Sequence, residues 1–263
     1  MDKASWGGLL LGLGGIIGGL LVEGGNLSQV MQPTAAMIVF GGTIGAVLIQ
    51  FPLPVVLRAA RRLVHVFIEP KLDAQSTVQR LVGFAHQARR DGIVSLDARL
   101  EEVDEPFLKR SLMLAIDGTE PQELRKMMEL ELDQKAEQED KIPQVFESAG
   151  GFAPTVGIIG AVLGLIQVMQ HLDKIDEVGR GIAVAFVATV YGVGSANLFF
   201  LPSAGKLRIR IREEQLIREM TLEGVVSILE GINPRMLETK LAGFLSEMPA
   251  QNPPPSAKAA GAT

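Results

Sequence analysis

The sequence predicts an all-α membrane protein with four transmembrane helices and a helical cytoplasmic domain inserted between the second and third spans. Three observations carry this. Four stretches lack Asp, Glu, Lys, Arg and His. Each offers roughly the 20 residues that a helix needs to cross the hydrocarbon core of a bilayer. Charge is badly segregated: only 21% of the 263 residues are charged, and they crowd outside those stretches. A soluble domain spreads charge over its whole surface. Finally, mean hydropathy is positive and Gly is abundant, as in membrane helices.

The first stretch lies between Lys3 and Glu23. Its charged flank is only Lys3 beside Asp2, and Leu21 to Gly25 make a poor signal-peptide cleavage site. It therefore reads as an uncleaved span at about residues 5–22. Its glycines, Gly7, Gly8, Gly12, Gly14, Gly15, Gly18 and Gly19, form several small-xxx-small pairs that suit helix packing. The second span falls at about residues 34–52, so residues 1–57 hold the first pair. The third and fourth spans fall at about 148–170 and 181–202, within residues 148–205. A backbone in lipid must satisfy its own hydrogen bonds, so all four are helices.

Orientation follows from Lys and Arg near the span ends. Arg58, Arg61 and Arg62 follow the second span, and Lys206, Arg208, Arg210 and Arg212 follow the fourth. The connection between the first two spans has no basic residue, and that between the last two is mainly acidic. Both short connections are thus expected outside, with both termini in the cytoplasm.

The middle segment, residues 58–147, reads as a cytoplasmic helical domain. Val78, Leu81, Val82, Ala85 and Ala88 form a stripe of helical period, and Asp91-Gly92 breaks it. Ser95 is expected to cap a following turn in part. Pro106 starts a helix through Leu114, and Pro121 opens a charged helix to about Asp140. That helix runs on toward the third span, with Pro143 as a bend. Residues 206–248 read as cytoplasmic C-terminal helices; the first, Lys206 to Leu229, has an apolar side of Ile209, Leu216, Met220 and Ile228, and Asn233-Pro234 is expected to end it. Pro, Ala, Ser and Gly dominate residues 249–263, which predicts a disordered tail.

Several functions are disfavoured. Without Cys there is no disulfide or thiolate metal site, and His65, His86 and His171 stand too far apart in sequence for metal-ligand spacing. A net charge of −5 argues against nucleic-acid binding. Nothing pairs a nucleophile with a base or cradles phosphates, so no enzyme and no cofactor are expected.

An ion-driven machine needs an ionisable group inside the membrane. None of the four spans has a charged residue or a His. Either the protein is a scaffold without ion chemistry, or it surrounds a partner whose helix supplies the group. The last two spans are polar without being charged, at Thr155, Gln167, Thr189, Tyr191, Ser195 and Asn197. They also hold many small residues, including Gly157, Gly160, Gly164, Ala185, Ala188 and Gly192. Taken singly, these are ordinary packing and back-bonding residues.

Three motifs narrow the choice. Residues 151–166 (GFAPTVGIIGAVLGLI) and 181–197 (GIAVAFVATVYGVGSAN), the latter followed by Leu201-Pro202 and Lys206-Leu207, resemble the third- and fourth-span motifs of the MotA/PomA stator family. Residues 87–97 (QARRDGIVSLD) resemble the family's rotor-facing motif. The resemblance runs from the first span to about Leu245. It implies an inner-membrane flagellar stator subunit, five copies of which surround a dimer of a MotB/PomB-like partner. The partner's helix carries an essential Asp, and ion flow past it turns the pentamer against a FliG-type rotor switch protein.

The resemblance further assigns Pro154, Ala161 and Thr189 to the ion path. It gives torque coupling to Pro154 and Pro202, and rotor contact to Arg89, Arg90 and Asp97, the last standing where Glu is usual. Ala161 falls where sodium-driven members tend to carry Thr, so the expected coupling ion is H⁺, with Na⁺ the lesser alternative. Tyr191 has no assigned role. The competing family, energisers of the ExbB/TolQ type, resembles only the last two spans.

Overall fold

The computed structural model of the chain describes residues 2–68 and 73–247. The expected tail lies outside the described residues. Every regular element among them is helical. Four helical stretches are long and apolar enough to cross a membrane: Lys3–Val22, Pro33–Gln50, Pro121–Gln170 and Ile175–Leu229. The chain divides into two compact units, Met1–Pro70 with Gln138–Arg210, and Lys71–Glu137 with Ile211–Thr263.

In the first unit, α1 (Lys3–Val22) is capped by Asp2, whose carboxylate accepts from the N–H groups of Ala4 at 3.0 Å and Ser5 at 3.2 Å. This satisfies two of the donors that a helix start leaves orphaned. No residue of α1 is buried. A short α2 (Leu27–Val30) leads to α3 (Pro33–Gln50), which opens on Pro, where the missing N–H costs nothing. Ala35, Val39, Thr43 and Val47 form its buried stripe. This stripe meets Val187 and Ala188 of α9 (Ile175–Ser195). Tyr191 explains itself here. Its hydroxyl donates to the Val30 carbonyl at 2.5 Å and accepts from Gln32 N–H at 3.3 Å, and its ring stacks on Phe40. It pins α9 to the turn that starts α3.

The helix expected at about 122–140 and the third span are one helix of 50 residues, α8 (Pro121–Gln170), with Pro143 and Pro154 inside it. Its small residues meet those of α9 backbone to backbone. A methyl added at Gly157 would lie 2.9 Å from the Ala188 carbonyl oxygen, and one at Gly192 would lie 2.5 Å from that of Ala153. Only glycine permits so close an approach. Two short helices, α4 (Leu53–Arg62) and α5 (Val64–Phe67), follow α3. Arg62 pairs with the buried Glu139 at 3.3 Å and meets His65 Nδ1 at 3.1 Å.

Between α9 and α10 (Leu201–Leu229) the helix widens into a π turn, Ala196–Phe200. Pro202 lacks an N–H, and its ring would crowd the carbonyl four residues earlier. The wider turn relieves this, and Leu201 N–H reaches back five residues to Ala196. Asn197 Nδ2 donates to the Val193 carbonyl at 2.9 Å and Ser195 Oγ to that of Gly192 at 3.3 Å, serving acceptors where the ladder changes register.

The second unit has an apolar core of its own. In α6 (Ala74–Asp91) the predicted stripe is in place: Val78, Leu81 and Ala85 are buried, with Val82 and Ala88 packed beside them. Gly92, at φ +84°, ends α6 in the left-handed region that favours glycine. A 3-10 helix, Ile93–Glu102, follows. Ser95 does not cap it; the Ser95 hydroxyl donates to the Gly92 carbonyl at 2.6 Å. Then come α7 (Pro106–Ile116), the start of α8, most of α10 and α11 (Pro234–Glu247). Leu112, Leu124, Met128, Met220, Val225, Leu237 and Leu241 fill the centre.

Two expectations need correction. Leu216, Met220 and Ile228 are buried on α10, but Ile209 is 54% exposed. The buried face there passes through Ser203, Ala204, Leu207 and Arg210, which leaves Ile209 on the opposite side. α10 stops at Leu229, as expected, but Asn233-Pro234 lies beyond its end and does not close it. That pair starts α11: Asn233 Oδ1 accepts from Arg235 N–H at 3.0 Å, and Pro234 occupies the first helical position.

Candidate functional site

Pro154, Ala161 and Thr189 share one edge of the α8–α9 seam. Gly157 lies one turn from Pro154 and one turn from Ala161, and a methyl on it would sit 3.5 Å from Thr189 Cα. All three side chains are half-buried. Pro154 cannot donate to the Gly150 carbonyl, so α8 has an acceptor without its helical donor at this level. The Thr189 hydroxyl donates to the Ala185 carbonyl at 3.2 Å and keeps its lone pairs for another donor. Thr155, which is exposed, back-bonds to the Phe152 carbonyl at 2.7 Å. Ile158, Ile159, Val162 and Ile166 of α8 are exposed, as are Phe186, Val190 and Val193 of α9. Pro202 is exposed at the other end of α9, beyond the π turn.

Arg89 and Arg90 stand at the last turn of α6, where cations complement the helix dipole. With Gly83, His86 and Gln87 they line an open depression of about 520 Å³. Arg90 holds Asp91 in a two-pronged pair at 3.0 and 2.8 Å, which lowers the Asp91 pKa and raises that of Arg90. Among the described residues Arg89 has no ion-pair partner. Asp97 is exposed on the 3-10 helix and does not line the depression. Gln87 Nε2 donates to the Ser95 carbonyl at 2.9 Å and fixes that turn against α6.

Two charge clusters were not legible as sites in the sequence. Burial raises the Asp2 carboxyl pKa, but Lys206 and the N–H groups of Ser5 and Ala4 outweigh it and hold the pKa at about 2. Arg210 adds a second cation at 3.3 Å. In the second unit, burial likewise opposes ionisation of Glu223, yet Arg125 at 2.9 Å and Lys240 hold its pKa below the usual carboxylate range. Asp2 and Lys206 lie 204 positions apart, and no spacing rule reaches that far. A third surprise is the Thr43 hydroxyl, which is buried and, among the described residues, has no hydrogen-bond partner.

Four helical stretches are long and apolar enough to cross a membrane, and α8 and α9 pack through glycines along their uncharged parts. The model of the MotA/TolQ/ExbB proton channel family matches residues 99–220, and that of the motility protein A N-terminal region matches residues 6–91. The chain is 36% identical to motility protein A of Bacillus subtilis (strain 168) over 249 residues, 93% of this chain and 91% of that one. It superposes on the structure of C. jejuni MotAB with a TM-score of 0.88 at 31% identity, covering 96% of this chain and all of that one. It superposes on the flagellar MotAB stator complex from Bacillus subtilis with a TM-score of 0.83 at 34% identity, covering 93% and 96%. The chain belongs to the motility protein A family.

Proposed function

We infer that this chain is the ion-channel subunit of a bacterial flagellar stator and works with a MotB-type partner. It is a transport component and not an enzyme. The carrying observation is a juxtaposition. Pro154, Ala161 and Thr189 converge beside Gly157, in spans that contain no Asp, Glu, Lys, Arg or His of their own. A path for ions without an ion-binding group calls for a carboxylate from another chain, and the exposed apolar faces of α8 and α9 offer a seat for its helix.

The physics sets the cycle. A carboxylate in hydrocarbon is costly while charged and cheap once protonated. Proton uptake lets the partner's Asp move against the seam; release returns it to a polar position. The Thr189 hydroxyl and the free carbonyl before Pro154 supply hydrogen bonds at the point of exchange. Ala161 offers no oxygen ligand, which disfavours Na⁺, an ion that sheds water only for several oxygens. H⁺ is therefore the coupling ion.

Five copies surround the partner dimer in the inner membrane, with both termini and residues 58–147 and 206–248 in the cytoplasm. The segregation of Arg58, Arg61, Arg62, Lys206 and Arg208 supports this orientation. Arg89 and Arg90, with Asp97 beside them in sequence, meet a FliG-type rotor protein through charge. Pro202, next to the π turn, transmits movement of the span to the helix that follows.

The test is a deletion strain that also lacks any second stator set. Intact filaments on non-swimming cells, with swimming restored by this gene plus its partner, are expected. Normal swimming in the deletion strain overturns the reading.

A further inference from the structure

The segment α4–α5 of the first unit plays no part in the proposed ion path. α4 starts three residues past the end of α3. At the far end of α5 the Phe67 carbonyl accepts from the N–H of Asp2, the residue that caps α1, at 2.9 Å. Trp6 of α1 lies 5.1 Å from the Phe67 ring, and Trp is enriched where spans meet headgroups. One end of the segment is thus level with the end of α3 and the other with the start of α1, so it runs along the boundary of the bilayer and not away from it. Its residues separate onto three faces. Val55, Ala59, Arg62 and Val66 turn toward the protein: Ala59 and Val66 are buried, and Arg62 pairs with Glu139. Leu53, Leu57, Ala60 and Val64 repeat the same spacing, and all four are exposed. Arg58 and Arg61 are exposed beside them, about 100° further round the helix. No Asp or Glu lies between Phe51 and Ile68, and among the described residues neither Arg58 nor Arg61 makes an ion pair.

We propose that α4 is a docking surface for an anionic leaflet: Leu53, Leu57 and Ala60 enter the edge of the acyl region, and Arg58 and Arg61 hold anionic phospholipid headgroups. Three observations select a lipid surface. An apolar face beside a basic face, on a short helix next to a span, is the pattern of helices that lie on membranes. The exposed apolar face continues that of α3, where Ile44, Leu48 and Ile49 are exposed up to the helix end, so the same solvent covers both. Two cations without an acid on their own segment need counter-charges, and anionic headgroups supply them. A like-with-like contact between the α4 helices of two copies would instead bring four cations together. The proposal needs only that α3 crosses a bilayer and is independent of the ion path.

The chain has no Cys, so Leu57→Cys carries a fluorophore without background labelling. The full chain with its MotB-type partner is placed in nanodiscs of equal parts phosphatidylglycerol and phosphatidylcholine, with one or the other brominated on the acyl chain, and quenching of the label is compared. Both lipids should quench it, and phosphatidylglycerol should be preferred, by about fivefold for each Arg. Arg58→Gln and Arg61→Gln should each lower the preference about fivefold, and the double change should leave none. A label at Leu11→Cys, on the exposed side of α1, should respond alike with and without the Arg changes, which establishes that the variants fold and insert. Equal quenching by the two lipids at Leu57, or a preference that survives the double change, overturns the proposal. Quenching by neither lipid at Leu57 also overturns it, because a second copy of the chain then covers the face.

Discussion

Thr189 is the residue on which the proposed ion path turns. Its hydroxyl is spent only on its own helix, at the Ala185 carbonyl, and its backbone lies against Gly157. Thr189→Ala should cut rotation speed roughly tenfold, the rate equivalent of one lost hydrogen bond. Assembly should be unchanged, and Thr189→Ser should keep most of the speed; full speed in the Ala variant removes Thr189 from the path. Thr43 is the opposite case, a buried hydroxyl with no partner among the described residues. Thr43→Val keeps its shape and drops the unpaired oxygen, so the thermal midpoint in detergent should hold or rise by the equivalent of about 1 kcal/mol. A clear fall would mean that the hydroxyl is bonded in the assembled complex. Asp2 is held at about pKa 2, below its ordinary value. A depressed carboxyl stabilises the fold above its unfolded pKa and loses that contribution as pH falls through the folded one. Stability should therefore drop by about 2 kcal/mol between about pH 4 and pH 2, and Asp2→Asn should be less stable at neutral pH and lack that step. An unchanged acid profile in Asp2→Asn contradicts the account.

At the scale of elements, the decisive feature is the glycine seam between α8 and α9. Gly157→Leu would drive a side chain into the Ala188 carbonyl and should destabilise the pair by about 1–3 kcal/mol or prevent assembly. The same change at Gly194, where an added Cβ meets nothing within 4 Å, should be mild. Equal effects at the two sites in a membrane-yield assay would discredit the seam. Periodicity made α6 and the span regions legible, because a stripe such as Val78, Leu81, Ala85 depends only on neighbours three and four apart. It missed the π turn, which follows from one missing N–H at Pro202. It also misjudged Asn233-Pro234, since a Pro that can close one helix can equally open the next. The partners of Tyr191 lie about 160 positions away, so its role was out of reach of any local pattern.

For the whole molecule, the candidate sites divide between the two units. The proposed ion path lies in Gln138–Arg210 and the proposed rotor face in Lys71–Glu137. Ion chemistry and torque are then separable by mutation. Reversing both Arg89 and Arg90 to Glu should weaken swimming severalfold while ion conduction persists. Reversal of facing acidic residues on the rotor should restore part of it, as expected for an electrostatic contact. Normal swimming in the double variant would remove these residues from the interface. The central claim is that this chain surrounds an ion path and another chain supplies the carboxylate. Its most direct test is the rotation of tethered cells carrying this chain unaltered and the partner's intramembrane Asp changed to Asn. The account predicts a complex that assembles and does not rotate; rotation at normal speed would contradict it.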